Sequence, residues 1–298
     1  MSSIASVVLG LIGLAGASTV LWGAIALRKW WRRSRFREYG WELQRFELAD
    51  HGVIEFAHWQ HPKERTKFFT QDQVKALREY VQPGDTVIDV GAYTGDTALP
   101  MALAAGPTGC VLALEPNRYV YKVLEQNASL NRNKTNIVPL NFAATNTDGT
   151  YTFHYGDGSY CNGGFVSQLA NQRHGHHYQL EVQGKNLAAY LRRECPERLS
   201  RLSLIKVDAE GYDAQVLASL HELIAEHQPV IICEVYKRLS PEERNVLFDV
   251  LNNAGYECFK LGEAPQLRGE LVPREDMNRW KHFDLLALPK KAANRAAA

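Results

Sequence analysis

Between residues 86 and 235, five short runs of almost wholly apolar residues (86–90, 111–114, 137–140, 202–207 and 230–235) alternate with segments of helical periodicity. A run without polar alternates is buried on both faces, and its alternation with helices predicts a mostly parallel sheet covered on both sides. Ligands of such sheets bind at the carboxyl ends of the strands, beside the point where strand order reverses. The residues just after each run are therefore the candidate site. Helical patterns fall at 71–81, up to 105, and at 119–130, 187–193, 212–225 and 241–254, the last with Ser240 as its cap and Gly255 beyond its end. Residues 256–261 and 283–288 read as closing strands, and 151–155 and 178–182 as short exposed ones. Residues 40–70 carry no clear period and read as a linker.

Ahead of this body, residues 4–27 carry no charge and are dominated by Leu, Ile, Val, Ala and Gly. At 1.5 Å per residue such a helix is about 36 Å long, enough to cross a hydrocarbon core of about 30 Å. A cleavable leader begins with positive residues, whereas here Arg28, Lys29, Arg32, Arg33, Arg35 and Arg37 follow the apolar run, with Trp30 and Trp31 beside them. That order predicts a single membrane anchor over residues 1–37 with the body on the cytoplasmic side. Beyond these six cations the remaining 28 basic residues face 33 acidic ones, a balance of −5. Sequence-independent nucleic-acid binding needs basic surface, so nucleic acid is not the expected partner. The five cysteines are scattered with no CxxC pair, which excludes a zinc ribbon or a dense disulfide framework and fits a reducing compartment. Residues 290–298 read as a frayed tail.

At the strand ends three constellations stand out. The first run is followed by Asp89, Gly91, Tyr93 and Gly95, a glycine turn aimed into a helix start. Its G-x-x-x-G spacing is not the G-x-G-x-x-G of dinucleotide sites, and no Lys-Ser/Thr of a P-loop follows. The same glycines also satisfy a purely structural need for a tight strand-to-helix turn. The second run ends in Glu115, Pro116 and Asn117, where an acid can hydrogen-bond both ribose hydroxyls of an adenosyl group. The fourth ends in Asp208, Ala209, Glu210, Gly211, Tyr212 and Asp213, and the fifth in Glu234. These acids serve equally as helix caps or as catalytic carboxylates. A buried Glu234 requires a partner or a polar cleft.

The blocks VIDVGAYTGDTAL, ALEPNRYVYKVLEQNASLN, AATNTDGTYTF, LIKVDAEGYDAQVL and PVIICEVY, in this order, resemble the FkbM family of S-adenosylmethionine-dependent methyltransferases over residues 82–261. The resemblance implies a Rossmann-like α/β domain (82–289) with a seven-stranded, mostly parallel sheet, and 283–288 as its antiparallel strand. It implies methyl transfer from S-adenosylmethionine to a hydroxyl-bearing acceptor. Carried over by position, Asp89, Gly91, Tyr93 and Gly95 line the methionine end of the cofactor, Glu115 and Asn117 its ribose, and Phe142 and Ala143 its adenine. Asp208 lies near the methyl group, with Asp208, Glu210 and Glu234 as candidate bases and no metal expected. Residues 156–184, with Tyr160, Asn162, Gly163 and Gly164, would form a wall of the acceptor pocket, and His174, His176 and His177 a solvated loop. Other readings are a membrane-tethered binding protein without turnover and an NAD-dependent oxidoreductase.

Overall fold

The structure, a computed structural model, describes residues 22–25, 27, 38–155 and 178–290. The apolar run 4–27, the histidine-bearing segment 156–177 and the tail 291–298 therefore lie wholly or mostly outside the described residues. Among the described residues no helix is long and apolar enough to cross a membrane.

Residues 40–70 are not a plain linker. They begin with an antiparallel hairpin, β1 (Trp41–Leu48) and β2 (Gly52–Trp59), turned at Gly52 with φ of 63°. Helix α1 (Gln71–Leu77) follows, started by a reciprocal cap in which Thr70 accepts from Gln73 N and the Gln73 side chain accepts from Thr70 N. The chain then runs through β3 (Thr86–Val90), α2 (Ala98–Ala105), β4 (Cys110–Leu114), α3 (Arg118–Ser129) and β5 (Ile137–Leu140). A three-stranded side sheet comprises β6 (Ala143–Thr145), β7 (Gly149–Tyr155) and β8 (Tyr178–Asn186). The second half adds α4 (Leu187–Glu194), α5 (Pro196–Leu199), β9 (Leu202–Val207), α6 (Asp213–Ser219), α7 (His221–His227) and β10 (Val230–Val235). It ends with α8 (Pro241–Asn253), β11 (Tyr256–Leu261), β12 (Arg268–Leu271) and β13 (Phe283–Pro289).

Among the described residues the main sheet has eight strands in the order β12-β11-β13-β10-β9-β3-β4-β5, not seven. The added strand, β12, pairs antiparallel on the edge of β11. Its mostly exposed Arg-Gly-Glu-Leu sequence has no apolar alternation to mark it. From β5 to β10 all neighbours are parallel, and β13 is antiparallel to both β10 and β11. Strand order moves outward from β3 through β4 to β5 and returns at β9 on the other side of β3. The switch point thus lies between β3 and β9.

Both faces of this sheet are covered, which is why its strands are almost wholly apolar. Ile88, Leu112, Ile205 and Cys233 face α4, α6, α7 and α8, while Val87, Val111, Leu204 and Ile232 face α1 and α2. Every residue of α2 is buried, consistent with its lack of any charge. The pattern over 212–225 resolves into two helices rather than one, broken at Leu220, whose φ of −98° and ψ of 6° depart from helical values. Cys110, Cys233 and Cys258 are buried free thiols.

Candidate active site

Backbone hydrogen bonds tie the strand ends into one ledge. Gly91 N and Ala92 N donate to Leu114 O (3.0 and 2.8 Å), Asp208 N to Val90 O (2.9 Å) and Glu115 N to Leu140 O (3.0 Å). Gly91, at φ of 78°, sits so close to the loop after β9 that a Cβ would lie 2.0 Å from the Asp208 carbonyl oxygen. Only glycine fits there. Over this ledge opens a cavity of about 320 Å³.

Of the residues expected at the site, Gly91, Tyr93, Glu115, Phe142, Ala143, Asp208 and Glu210 line this cavity. Glu115 is buried, and its Oε1 accepts from Asn117 N at 2.7 Å. Asn117 itself does not line the cavity. It caps α3, its Oδ1 accepting from Tyr119 N (3.0 Å), and so fixes the turn that presents Glu115. Gly95 also stands behind the wall, where a Cβ would lie 3.0 Å from Leu124 on α3. Asp89 is fully buried beneath the floor. It accepts from Thr97 Oγ1 (2.7 Å) and pairs with the Lys206 ammonium (3.2 Å). Glu234 is buried beyond Lys206, with His282 Nε2 at 3.6 Å and Asp284 directly opposite on β13. The two glycines, the tyrosine and the asparagine expected between residues 160 and 164 lie outside the described residues, as do His174, His176 and His177.

The electrostatics divide these acids. Asp208, half-exposed, lies 3.6 Å from Lys206 Nζ. Burial alone lowers the proton affinity of Lys206, but Asp89 and Asp208 more than reverse this, so it stays an ammonium. Glu210, at φ of 52°, accepts a hydrogen bond from the Tyr236 hydroxyl; burial, and next the charge of Asp208, raise its carboxyl above the ordinary range. Burial, reinforced by Asp208 and Glu210, holds Glu234 far above that range, and Asp284 is raised for the same first reason. Asp213 is buried and accepts from Gly211 N (3.2 Å) to close the turn; burial pushes it up to about 8. Among the described residues no group of three or more His, Cys, Asp or Glu is placed to hold a metal ion.

Sequence reasoning missed Lys67, Asp96, Thr97 and Lys206, which also line the cavity. Lys67 comes from the loop after the hairpin. Its Nζ meets Asp96 at 2.7 Å and Glu64 at 3.2 Å, and lies 5.0 Å from the Tyr93 ring centre. The Tyr93 hydroxyl donates to Glu64. The loop is thereby tied to the glycine turn. Lys206 had a signal in the sequence, a lysine in a strand buried on both faces, which demands a carboxylate partner.

The sequence matches the family model described as the methyltransferase FkbM domain over residues 89–258. Solved structures similar to this chain include methyltransferase FkbM from Methylobacillus flagellatus KT, at 14% identity and a TM-score of 0.41, covering 72% of this chain. The match spans only 51% of that protein. Fibrillarin from Aeropyrum pernix, with natively bound S-adenosyl-L-methionine, aligns at 12% identity and a TM-score of 0.39, covering 86% of this chain and 99% of that one. An O-methyltransferase from Bacillus cereus, in complex with SAH, aligns at 12% identity and 0.40, covering 75% and 84%. No curated protein matches the sequence.

Proposed function

The chain belongs to the FkbM methyltransferase family, and from that premise we propose that it methylates a hydroxyl group of its acceptor using S-adenosylmethionine bound in the ledge cavity. The observation that carries this reading is Glu115, a buried carboxylate lining the cavity one strand away from the glycine turn. Such an acid suits the paired hydroxyls of a ribose. Phe142 and Ala143 give an apolar wall for adenine, and Gly91, Asp96 and Thr97 face the methionine end.

When bound, S-adenosylmethionine supplies a methyl group on a cationic sulfur; the new carbon–oxygen bond forms as the carbon–sulfur bond breaks, its electron pair leaving on sulfur. The protein must align the acceptor and give its proton a destination. Glu210 is the base in this reading. It lines the cavity, is held by Tyr236, and has a proton affinity raised above the ordinary carboxylate range by burial and then by Asp208. Asp208, fixed by Lys206, orients the acceptor. Glu234 does not line the cavity, and burial, reinforced by Asp208 and Glu210, makes it hold its proton, so it is not the base in this reading.

Calorimetric titration of the full chain with S-adenosylmethionine, and separately with NAD, tests the cofactor. Only the former should bind, and Glu115→Ala should weaken it about ten- to a hundredfold through loss of charged hydrogen bonds. Glu210→Gln should keep that affinity and lose transfer. Binding of NAD alone would overturn the reading.

The apolar run 4–27 and its basic flank support a membrane anchor, with the catalytic body on the cytoplasmic side and a membrane-associated acceptor, lipid-linked or glycan, within reach. At its described end, Trp22, Ile25 and Leu27 leave their side chains exposed. Full-length protein should stay with membranes through alkaline extraction, whereas a chain starting at Glu38 should not; release of both would remove the anchor.

A further inference from the structure

A second, larger cavity of about 570 Å³ lies beside the first, over the sheet face that α1 and α2 cover. Its floor is formed by Lys206, Ile232 and Asp284 on the adjacent strands β9, β10 and β13. Its walls are Phe69 before α1, Met101 of α2 and the β11–β12 loop with Leu267. Phe68, 71% exposed, stands at the rim. Lys67, Asp96, Thr97 and Lys206 line both cavities and form the junction between them.

We propose that this second cavity is the acceptor site, and that it takes a neutral, largely apolar alcohol whose hydroxyl enters the junction. The proposal rests on the methyltransferase reading for the cofactor's place. Three observations select that chemistry. The walls are mainly aromatic and aliphatic, and the volume suits a small-molecule ligand. Both cations at the junction are already matched: Lys67 by Asp96 (2.7 Å) and Glu64 (3.2 Å), Lys206 by Asp89 (3.2 Å) and Asp208 (3.6 Å). An anionic acceptor would find those ammoniums engaged and would meet the side chains of Glu263 and Asp284. An amine would arrive as an ammonium, which has to shed its water to enter a mainly apolar cavity and has no lone pair left to take the methyl group. A hydroxyl placed at the junction lies beside Lys206, whose Nζ is 3.6 Å from Asp208 of the cofactor cavity.

The test is photo-crosslinking of the full chain, loaded with S-adenosylmethionine, by diazirine-bearing probes of matched chain length. They are an alcohol, a carboxylic acid and an amine free in solution, and a long-chain alcohol carried in phosphatidylcholine vesicles. Labelled peptides are mapped by mass spectrometry. Labelling of the Phe68–Phe69, Met101 or Leu267 peptides by an alcohol above the acid and amine supports the proposal, and the preferred alcohol distinguishes a soluble from a membrane source. Leu267→Trp, which fills the cavity from a half-buried loop position, should reduce that labelling about tenfold while leaving the cofactor titration unchanged. Phe68→Ser, at the exposed rim, is the second variant and should reduce it without burdening the fold. Equal labelling by all three head groups, or none at these peptides in protein that binds S-adenosylmethionine, overturns the acceptor assignment alone. Failure of S-adenosylmethionine to bind overturns the cofactor reading on which it stands.

Discussion

An ammonium taken out of water between two carboxylates is held by both and is costly to remove from either. Lys206 is in that position, 3.2 Å from the fully buried Asp89 and 3.6 Å from Asp208, with the Gly91 carbonyl at 3.4 Å. It ties the floor of the glycine turn to the carboxylate that faces the cavity. Lys206→Met would leave Asp89 with only the Thr97 hydroxyl against its charge, and breaking one side of such a buried pair costs about 3–5 kcal/mol. The double variant Lys206→Met with Asp89→Asn removes both charges and should recover much of that loss. Urea denaturation of the four proteins measures the coupling; an additive cycle would show that the pair is not what holds the turn.

At the scale of elements, the hairpin is held to the domain by side-chain amides acting as a substitute strand. Asn127, near the end of α3, accepts from Ala57 N (2.6 Å) and donates to Ala57 O (3.1 Å) and Thr94 O (2.7 Å). Asn131 repeats the pattern on Glu55 N and O (2.9 and 2.8 Å). Two of the three Asn127 contacts need a donor. Asn127→Asp should therefore destabilise more than Asn127→Ala, by about 2–3 kcal/mol beyond it, because an anion would face two buried carbonyls. Hydrogen exchange at the Ala57 amide should quicken in Asn127→Ala, which removes its acceptor; unchanged protection there would mean that the hairpin is held by its apolar face alone. This docking also explains what the sequence left hidden. Runs such as 86–90 and 230–235 are legible because a strand buried on both faces must be apolar throughout. In Trp41–Leu48 only Leu48 is fully buried, with Gln44 and Phe46 half-buried between charges, and the α3 amide that docks the hairpin at Ala57 of β2 lies seventy residues on. The site divides in the same way. Gly91, Glu115 and Asp208 follow strands and were legible from strand ends, whereas Lys67 and Asp96 converge only because the hairpin carries its following loop over the glycine turn.

For the molecule as a whole, the cluster of acids at the strand ends makes stability depend on pH in an unusual direction. Asp213, raised to about 8 by burial and by Asp208, keeps in the folded state a proton that the unfolded chain releases near pH 4. Glu210, Glu234 and Asp284 are raised as well. For a carboxyl whose folded pKa is raised, the stabilising contribution is complete below the unfolded value and is lost as pH climbs through the folded one. The native state should therefore lose stability between about pH 4 and 8, by at most about 1.4 kcal/mol per pH unit for each such group. Exposed pairs of the opposite sense, such as Asp249 with Arg274, contribute equally to wild type and variant and cancel in a comparison. Asp213→Asn keeps one acceptor for the turn at Gly211 and removes the titrating proton. Urea midpoints taken from pH 5 to pH 9 should show the variant gaining on the wild type up to about pH 8 and running parallel above it. Parallel curves across the whole range would place the Asp213 proton elsewhere. The same trend ties stability to the proposed chemistry. The burial and like charge that lift Glu210 toward a working base also make the native state hold protons, so the site's readiness as a base and its cost in stability at neutral pH have one origin.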